Sequence, residues 1–161
     1  MSSKGSHKPN LQKRSVCLNR RARHDYDVLQ RLEAGLVLRG SEVKALREGK
    51  GNLADAYVSL RGGRPILHNL EISPYSHDTS ERDGETRRNL GLLLKAVEIR
   101  KLEQTLREKG LTLVPLEIYF HGPWAKVEVG VCRGRRKADK REKLKSREAQ
   151  RDIDRALRRR R

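Results

Sequence analysis

The sequence predicts a mainly β domain, a small antiparallel barrel with short helices, that is extended by two basic ends. Several short runs alternate apolar and polar residues between glycine-rich turns, a pattern typical of small barrels. The chain has 161 residues, which suits one domain plus extensions. Its net charge of +17 lies entirely in the ends, because residues 24–132 carry sixteen basic and sixteen acidic side chains. We therefore divide the chain into a disordered basic arm at 1–22, a barrel domain at 23–132 and a basic tail at 133–161.

Composition and capping signals predict the first elements. Residues 1–20 are polar and basic, which is typical of a disordered segment. A first strand is expected at 24–32, where apolar residues alternate with charged ones. Residues 38–52 predict a short helix, with Ser41 as a candidate N-cap and Gly49 as its end.

A hairpin follows in the middle of the chain. Residues 56–60 alternate, Gly62-Gly63 supplies a two-residue turn, and residues 66–72 return. Residues 73–89 form a long polar connection, and the apolar run at 90–95 predicts a short strand.

The last elements are one helix and two strands. Residues 96–110 carry one apolar face and predict the clearest helix of the chain. Residues 111–120 predict a strand with Leu116, Ile118 and Phe120 as its apolar set, and Pro115 in that strand indicates an edge or a bulge. Residues 124–132 return, with valines alternating against polar residues.

The sequence shows no motif typical of a catalytic or metal-binding site. No Ser/His/Asp or Cys/His set can be argued from the sequence, and the stretch "GKGN" at 49–52 lacks the spacing of a phosphate-binding loop. Cys17 and Cys132 lie far apart and form no CxxC motif, so we expect neither a metal nor a disulfide, and no cofactor. The N-terminus has no apolar signal-peptide core and no run is long enough to span a membrane, so we expect an intracellular protein.

The basic ends predict a polyanionic partner. A neutral body with cationic extensions is typical of a folded module that holds nucleic acid. A helix that lies on a membrane surface would need large apolar residues opposite its charges. The tail offers only Leu144, Ile153 and Leu157, so we do not expect membrane binding.

Six stretches of the sequence resemble segments of one known family, and they occur in the same order as in that family. They are "RRARHDY" (20–26), "EAGLVLRGSEVKALREGKGNLADAYV" (33–58), "LHNLEISPY" (67–75), "KGLTLVPLEIYF" (109–120), "AKVEVGVCRG" (125–134) and "DKRE" (139–142). On these segments the chain resembles the small protein B family, the SsrA-binding proteins that bind transfer-messenger RNA (tmRNA).

The resemblance implies an OB-like antiparallel β-barrel with flanking helices and a basic C-terminal tail that is disordered in solution. It implies a protein that is not an enzyme, that acts in the cytoplasm, and that binds the tRNA-like domain of tmRNA. Alanyl-tmRNA, together with elongation factor Tu, would then reach ribosomes stalled without a stop codon. The tail would enter the empty mRNA channel at the small-subunit decoding centre, so that the incomplete protein is tagged for degradation.

The resemblance also implies six residues that bind tmRNA. The alternation in residues 124–132 places Lys126 on the outer surface, on the side of the strand opposite the inward valines. Three of the others have structural alternatives: Glu42 also suits a helix N-terminus, Lys44 a solvated surface, and Asn52 a turn. The remaining two lie at the junction of the arm and the barrel, where a phosphate contact is expected. The six residues are Arg23, His24, Glu42, Lys44, Asn52 and Lys126.

The tail is expected to contact the ribosome. Its apolar stripe at Ala149, Ile153, Ala156 and Leu157 is too thin to bury alone, so the free tail should be disordered and become helical on RNA. Gly134 resembles the family's flexible joint. The ribosome-facing residues implied with it are Arg135, Arg136, Lys137, Asp139, Lys140, Arg141, Lys143 and Lys145.

The chain departs from the family pattern in two places. Ala138 stands where the family has Tyr or His, and alanine cannot stack on a base. In the 90–95 stretch, Gly91 and Lys95 replace a basic residue and a histidine. Two other functions fit a small basic protein: a general OB-type RNA-binding protein, which needs exposed aromatic residues, and a structural protein of the ribosome.

Overall fold

The computed structural model describes residues 12–75 and 87–135, together with residues 145–146, 148–151 and 155 of the tail. Nine strands and three helices follow one another in the first two of these ranges. In chain order they are β1 Lys13–Leu18, α1 Arg20–Asp25, β2 Tyr26–Leu36, α2 Gly40–Arg47, β3 Gly51–Asn52, β4 Tyr57–Arg61, β5 Arg64–His68, β6 Glu71–Ile72, β7 Leu90–Leu93, α3 Ala96–Leu106, β8 Leu111–His121 and β9 Trp124–Gly134. Within the described part of the chain, no helix is long and apolar enough to cross a membrane.

Six antiparallel strands close into a ring. The order is β8-β4-β5-β7-β2-β9, and β9 pairs again with β8. β1 pairs with the C-terminal half of β8, from Glu117 to His121, while Leu113 near the other end of β8 pairs with Val58 of β4. β1 and β4 therefore share one edge of β8. This closed antiparallel ring with flanking helices confirms the predicted fold class.

The ring is filled by aliphatic side chains. Val127, Val129 and Val131 of β9 are all buried, as the alternation predicts. Leu46 of α2 and Leu102 of α3 are buried in the same cluster, so both helices pack against the core. Each fully buried aliphatic side chain contributes about 1.5–3 kcal/mol of transfer free energy, so this cluster is the main source of stability.

A bulge in β8 turns its apolar residues to two sides. The register shifts between Pro115 and Glu117. As a result Ile118 and Phe120 face the main core, whereas Leu116 packs in a second cluster. The predicted bulge is confirmed, but the single apolar face and the edge position are wrong, because β8 is paired along both sides.

Residues 13–25 form two elements that the composition assigned to the arm and the first strand. β1 is held by its pairing with β8, and its Val16 and Cys17 pack against the core. Asn19 then caps α1, since its Oδ1 accepts a hydrogen bond from the Ala22 N–H at 2.9 Å. Its Nδ2 donates to two backbone carbonyls, those of Leu53 and Pro115. Disorder is therefore the wrong expectation for residues 13–22, and the strand expected at 24–32 is β2, which starts at Tyr26.

The turn predictions fare better. Gly62 and Gly63 have φ values of 54° and 71°, which is the two-residue hairpin geometry that favours glycine. Gly49 ends α2 with a φ of 78°, although the N-cap is Arg39 rather than Ser41. The strand expected at 90–95 is present as β7, and α3 ends earlier than predicted. β3, two residues long, was not predicted, and the return strand expected at 66–72 is divided into β5 and the two-residue β6. Residues 76–86 of the polar connection lie outside the described residues.

Candidate nucleic-acid interface

One row of side chains crosses four neighbouring strands on the outside of the ring. Lys126 of β9 pairs with Gly35 of β2 on one side and Tyr119 of β8 on the other, and Gly35 also pairs with Leu93 of β7. Leu93 is 63% exposed and lies over Gly35, where a Cβ atom would come within 3.2 Å of the Leu93 Cβ. Together with Glu33, two residues before Gly35, these residues define what we call the Lys126 face.

Lys126 is held in place by an acid. Its Nζ lies 3.0 Å from Glu33 Oε1, and the Tyr119 hydroxyl donates a hydrogen bond to Glu33 Oε2. The Tyr119 bond lowers the pKa of the Glu33 carboxyl against the opposing effect of burial, and Lys126 lowers it further. Burial and Glu33 raise the pKa of Tyr119 above its ordinary value, so its hydroxyl keeps its proton and remains a donor. The ammonium group is therefore oriented, although the Lys126 side chain is still 29% exposed.

A row of three glutamates starts at Glu33 of the Lys126 face and runs across two further strands. Glu33, Glu128 and Glu117 are neighbours in register across β2, β9 and β8. Glu128 pairs with Arg31 at 3.2 Å and Glu117 with Lys13 at 2.7 Å. A carboxylate row repels phosphate but accepts hydrogen bonds from ribose hydroxyls and base amino groups. This surface suits folded RNA better than it suits an arbitrary polyanion.

Glu42 has a structural role in α2. Its Oε2 accepts a hydrogen bond from the Arg39 N–H at 2.6 Å, and the Arg88 guanidinium donates to both of its oxygens at 2.6 Å each. Burial raises the pKa of this carboxyl, but the Arg88 and Arg39 bonds outweigh it, so the pKa is lowered. These contacts favour the helix N-terminus alternative over direct acceptance from RNA.

Two other predicted residues lie near α2. Lys44 is exposed, with its Nζ 5.6 Å from the centroid of the Tyr75 ring. Asn52 is exposed, and its Oδ1 accepts a hydrogen bond from the Ala54 N–H at 3.0 Å. That bond is the geometry of an Asx turn, so the turn alternative describes Asn52.

Arg23 and His24 lie on α1. Arg23 is exposed, and His24 is half-buried with its Nδ1 3.0 Å from Asp25 Oδ1. The six predicted RNA-binding residues thus fall into three groups, on α1, on α2 with β3, and on β9. Their roles toward RNA stay predictions.

The start of the tail differs from expectation. Gly134 is the last residue of β9 and pairs with Tyr26, so the chain is still fixed where a flexible joint was expected. The Arg135 side chain is only 8% exposed and makes an ion pair with Asp27 at 2.5 Å. Arg135 is therefore engaged within the domain rather than held out for ribosomal RNA.

Beyond Arg135, most of the predicted tail residues lie outside the described part of the chain. Lys145 and the other described tail residues are helical and exposed, so the tail sequence is compatible with helix. Whether the free tail is disordered in solution stays a prediction. The predicted ribosome-facing residues that lie outside the described part of the chain are Arg136, Lys137, Asp139, Lys140, Arg141 and Lys143.

Sequence reasoning missed three residues of the Lys126 face: Glu33, Leu93 and Tyr119. Glu33 and Tyr119 do stand in the stretches "EAGLVL" and "LEIYF" that carry the family resemblance, which was the available signal. It also missed the exposed aromatic residues. Tyr57 is 46% exposed and stacks on His68 with ring centroids 4.7 Å apart, and Trp124 is 66% exposed. Such rings can stack on unpaired bases.

The cysteines are free thiols within the fold. Burial raises the pKa of both Cys17 and Cys132 to about 11, so both stay protonated at neutral pH. Among the described residues, no group of three or more His, Cys, Asp or Glu side chains is placed to hold a metal ion.

The family described as "SmpB protein" matches residues 16–159. The chain belongs to the SmpB family. It is 48% identical to the SsrA-binding protein of Microcystis aeruginosa over 88% of this chain and 92% of that protein. It is 47% identical to the SsrA-binding protein of Syntrophobacter fumaroxidans over 92% of this chain and 91% of that protein.

The fold agrees with a solved member of the family. A chain from the structure described as "tmRNA-SmpB: a journey to the center of the bacterial ribosome" superposes with a TM-score of 0.64 at 43% identity, over 81% of this chain and 94% of that chain. The resemblance found in the sequence, and the family it indicated, are confirmed.

Proposed function

We propose that this chain binds the tRNA-like domain of tmRNA and delivers alanyl-tmRNA to ribosomes stalled without a stop codon. The observation that carries the proposal is the Lys126 face, a lysine oriented by Glu33 and Tyr119 beside an exposed leucine, in a chain whose relatives are named SsrA-binding proteins. The family membership supports tmRNA and the ribosome as partners and a role in trans-translation.

The Lys126 face has the chemistry to read a folded RNA by shape. Lys126 supplies a cation for one phosphate, Glu33 accepts a hydrogen bond from a ribose hydroxyl or base, and Leu93 offers an apolar contact to a base face or sugar. When phosphate takes Lys126, Glu33 keeps the Tyr119 hydrogen bond, so the carboxylate is not left without a partner. The interface can therefore exchange its internal ion pair for RNA contacts at low cost.

The tail supplies the second part of the function. Residues 133–161 carry fifteen basic and five acidic side chains, which suits the phosphate-lined mRNA channel. We infer that the tail enters this channel only when no message fills it, with Lys140 and Arg141 near the decoding centre. Elongation factor Tu would accompany the complex through the alanyl end of tmRNA, which places the protein in the cytoplasm.

Binding to the isolated tRNA-like domain tests the proposal, with a transfer RNA of equal length as competitor. Lys126→Ala should weaken binding at least about tenfold, because a charge-assisted hydrogen bond contributes about 1.5–3 kcal/mol. Lys101→Ala is the matched control, since it removes the same charge from the exposed surface of α3. Equal losses for the two variants would show that Lys126 adds only bulk charge.

The alternative functions predict different RNA. A general RNA-binding protein would recover mixed RNA from cells, and a structural ribosomal protein would recover ribosomal RNA in equal amount with itself. The proposed function requires one enriched RNA with a tRNA-like end, and its absence would overturn the proposal.

A further inference from the structure

Arg135 joins the end of the ring to the end of α1. Its NH1 donates hydrogen bonds to the Arg23 and His24 carbonyl oxygens at 3.1 Å each, and its backbone N–H donates to the Asp25 carbonyl at 3.0 Å. Its Nε and NH2 contact Asp27 Oδ1 at 2.6 and 2.5 Å. One residue therefore holds both the helix and the strand that follows it.

These contacts satisfy carbonyl groups at the end of α1 that the residues of the helix itself cannot satisfy. The last carbonyls of a helix have no partner within it, and a cation there also interacts favourably with the helix dipole. In α1 the Ala22 carbonyl accepts from the Tyr26 N–H, and Arg135 satisfies the next three carbonyls. A six-residue helix is too short to be stable alone, so this distant cap is a large part of what holds it.

The chemistry of this contact requires arginine. The planar guanidinium presents donors on separate edges, so it can bind Asp27 with one edge and two carbonyls with another. A lysine keeps the charge but has a single ammonium, which cannot span both sets of acceptors. Because the Arg135 side chain is only 8% exposed, it has little access to external phosphate.

We propose that Arg135 is a positioning residue that fixes the direction in which the tail leaves the ring and couples the tail to α1. The chain is thus held in the domain through Arg135, one position beyond the joint expected at Gly134. This inference rests on the proposed function for its consequence: α1 carries Arg23 and His24 toward RNA, and Arg135 sets the tail at a defined place relative to them. Losing the coupling should impair use of the tail on the ribosome more than binding of RNA by the ring.

The full-length protein with Arg135→Lys tests this directly. Arg133→Lys is the matched control, because Arg133 lies two residues earlier and pairs with Glu108 on the surface, with its side chain 53% exposed. Asp27→Asn weakens the ion pair with Arg135 from the exposed partner. It replaces Arg135→Lys in the test if that variant folds poorly. Amide hydrogen exchange and backbone ¹⁵N relaxation of residues 20–26 and 133–135 report on the coupling without any RNA.

In Arg135→Lys and Asp27→Asn we expect exchange of the Arg135 and α1 amides to rise about tenfold, with unchanged exchange in β8 and β9. With tmRNA and ribosomes stalled on a message without a stop codon, tagging should fall while affinity for the tRNA-like domain stays within about threefold. Unchanged exchange in both variants, or an equal change in Arg133→Lys, would overturn the proposal. Wild-type protein that shows no specific binding of tmRNA would overturn the proposed function instead, because the exchange result does not depend on RNA.

Discussion

Replacing Glu42 with alanine should destabilise the fold, and the loss can be worked from its bonds. The Glu42 side chain is 13% exposed and holds the Arg88 guanidinium, which is 21% exposed. Removing one partner of a fully buried ion pair costs about 3–5 kcal/mol, and about half of that applies where both groups reach water. The lost bond to the Arg39 N–H adds about 1 kcal/mol, as for other capping side chains. The free energy of unfolding should therefore fall by about 3 kcal/mol, or about 10 °C in Tm.

Urea unfolding followed by circular dichroism measures this loss, and α3 offers a matched control. Glu98 occupies the same N3 position as Glu42 and accepts from the Lys95 N–H at 2.8 Å. Among the described residues, no guanidinium lies within ion-pairing distance of Glu98, so Glu98→Ala should cost only the capping bond, about 1 kcal/mol. If Glu42→Ala costs no more than Glu98→Ala, the Arg88 pair contributes nothing and the structural role assigned to Glu42 is wrong.

Three further outcomes are expected. A shortened chain that ends at Arg135 should fold and bind the tRNA-like domain with a shallower dependence on salt than the full chain, because the tail phosphate contacts are gone; an equally steep slope would contradict this division of labour. The same shortened chain, which lacks residues 136–161, should bind tmRNA nearly as well as the full chain but should not support tagging. Ala138→Tyr in the full chain should hold or improve tagging. If the shortened chain tags normally, the tail is only an electrostatic accessory. Thermal melts should show that stability falls as the pH drops below about 4.5. Three carboxyls have pKa values in the folded state below their ordinary 4.5, so they stabilise the fold above that pH. That contribution is lost as the pH falls through the lowered pKa values. These carboxyls are Glu33, Glu42 and Glu117; unchanged melting between pH 5 and 3 would show that their partners add no net stability.

Short-range patterns predicted much of the ring. Alternation in β9 identified the inward valines and placed Lys126 outside, because the period of a strand fixes the side from the sequence alone. The Gly62-Gly63 turn followed from the positive φ values that such a turn demands. Each of these features is decided by residues within a few positions of one another.

The features that sequence reasoning missed depend on partners that are far away in the sequence. β1 looks like a disordered arm because its stability comes from pairing with β8, about a hundred residues later. Leu116 reads as part of one apolar face until the bulge at Pro115 shifts the register. Arg135 resembles any other arginine of a basic tail, and only the folded structure shows that the end of α1 needs it.

The candidate interface shows the same limit. Lys126 was found through its motif and its outward position, but Glu33 and Leu93 come beside it only through pairing of β2 with β9 and β7. Glu42 was correctly singled out as a helix N-terminal acid, yet its partner Arg88 lies 46 residues later, near the end of the long polar connection at 73–89. Sequence reasoning therefore identified candidate residues more readily than it identified which of them meet.

The pairings between strands that are far apart in the sequence also decide when the protein can fold. Val28 pairs with Cys132 and Lys13 with His121, so the strands at the two ends of the domain are joined to each other. During synthesis, β2 must wait for β9 to leave the ribosome, and closing so long a loop makes folding slow as well as late. A copy cut short before β9 has no Lys126 face, because two of the strands that build it cannot pair. Products cut short before β9 should therefore not compete with complete copies for tmRNA, because they lack the surface that we propose to bind it.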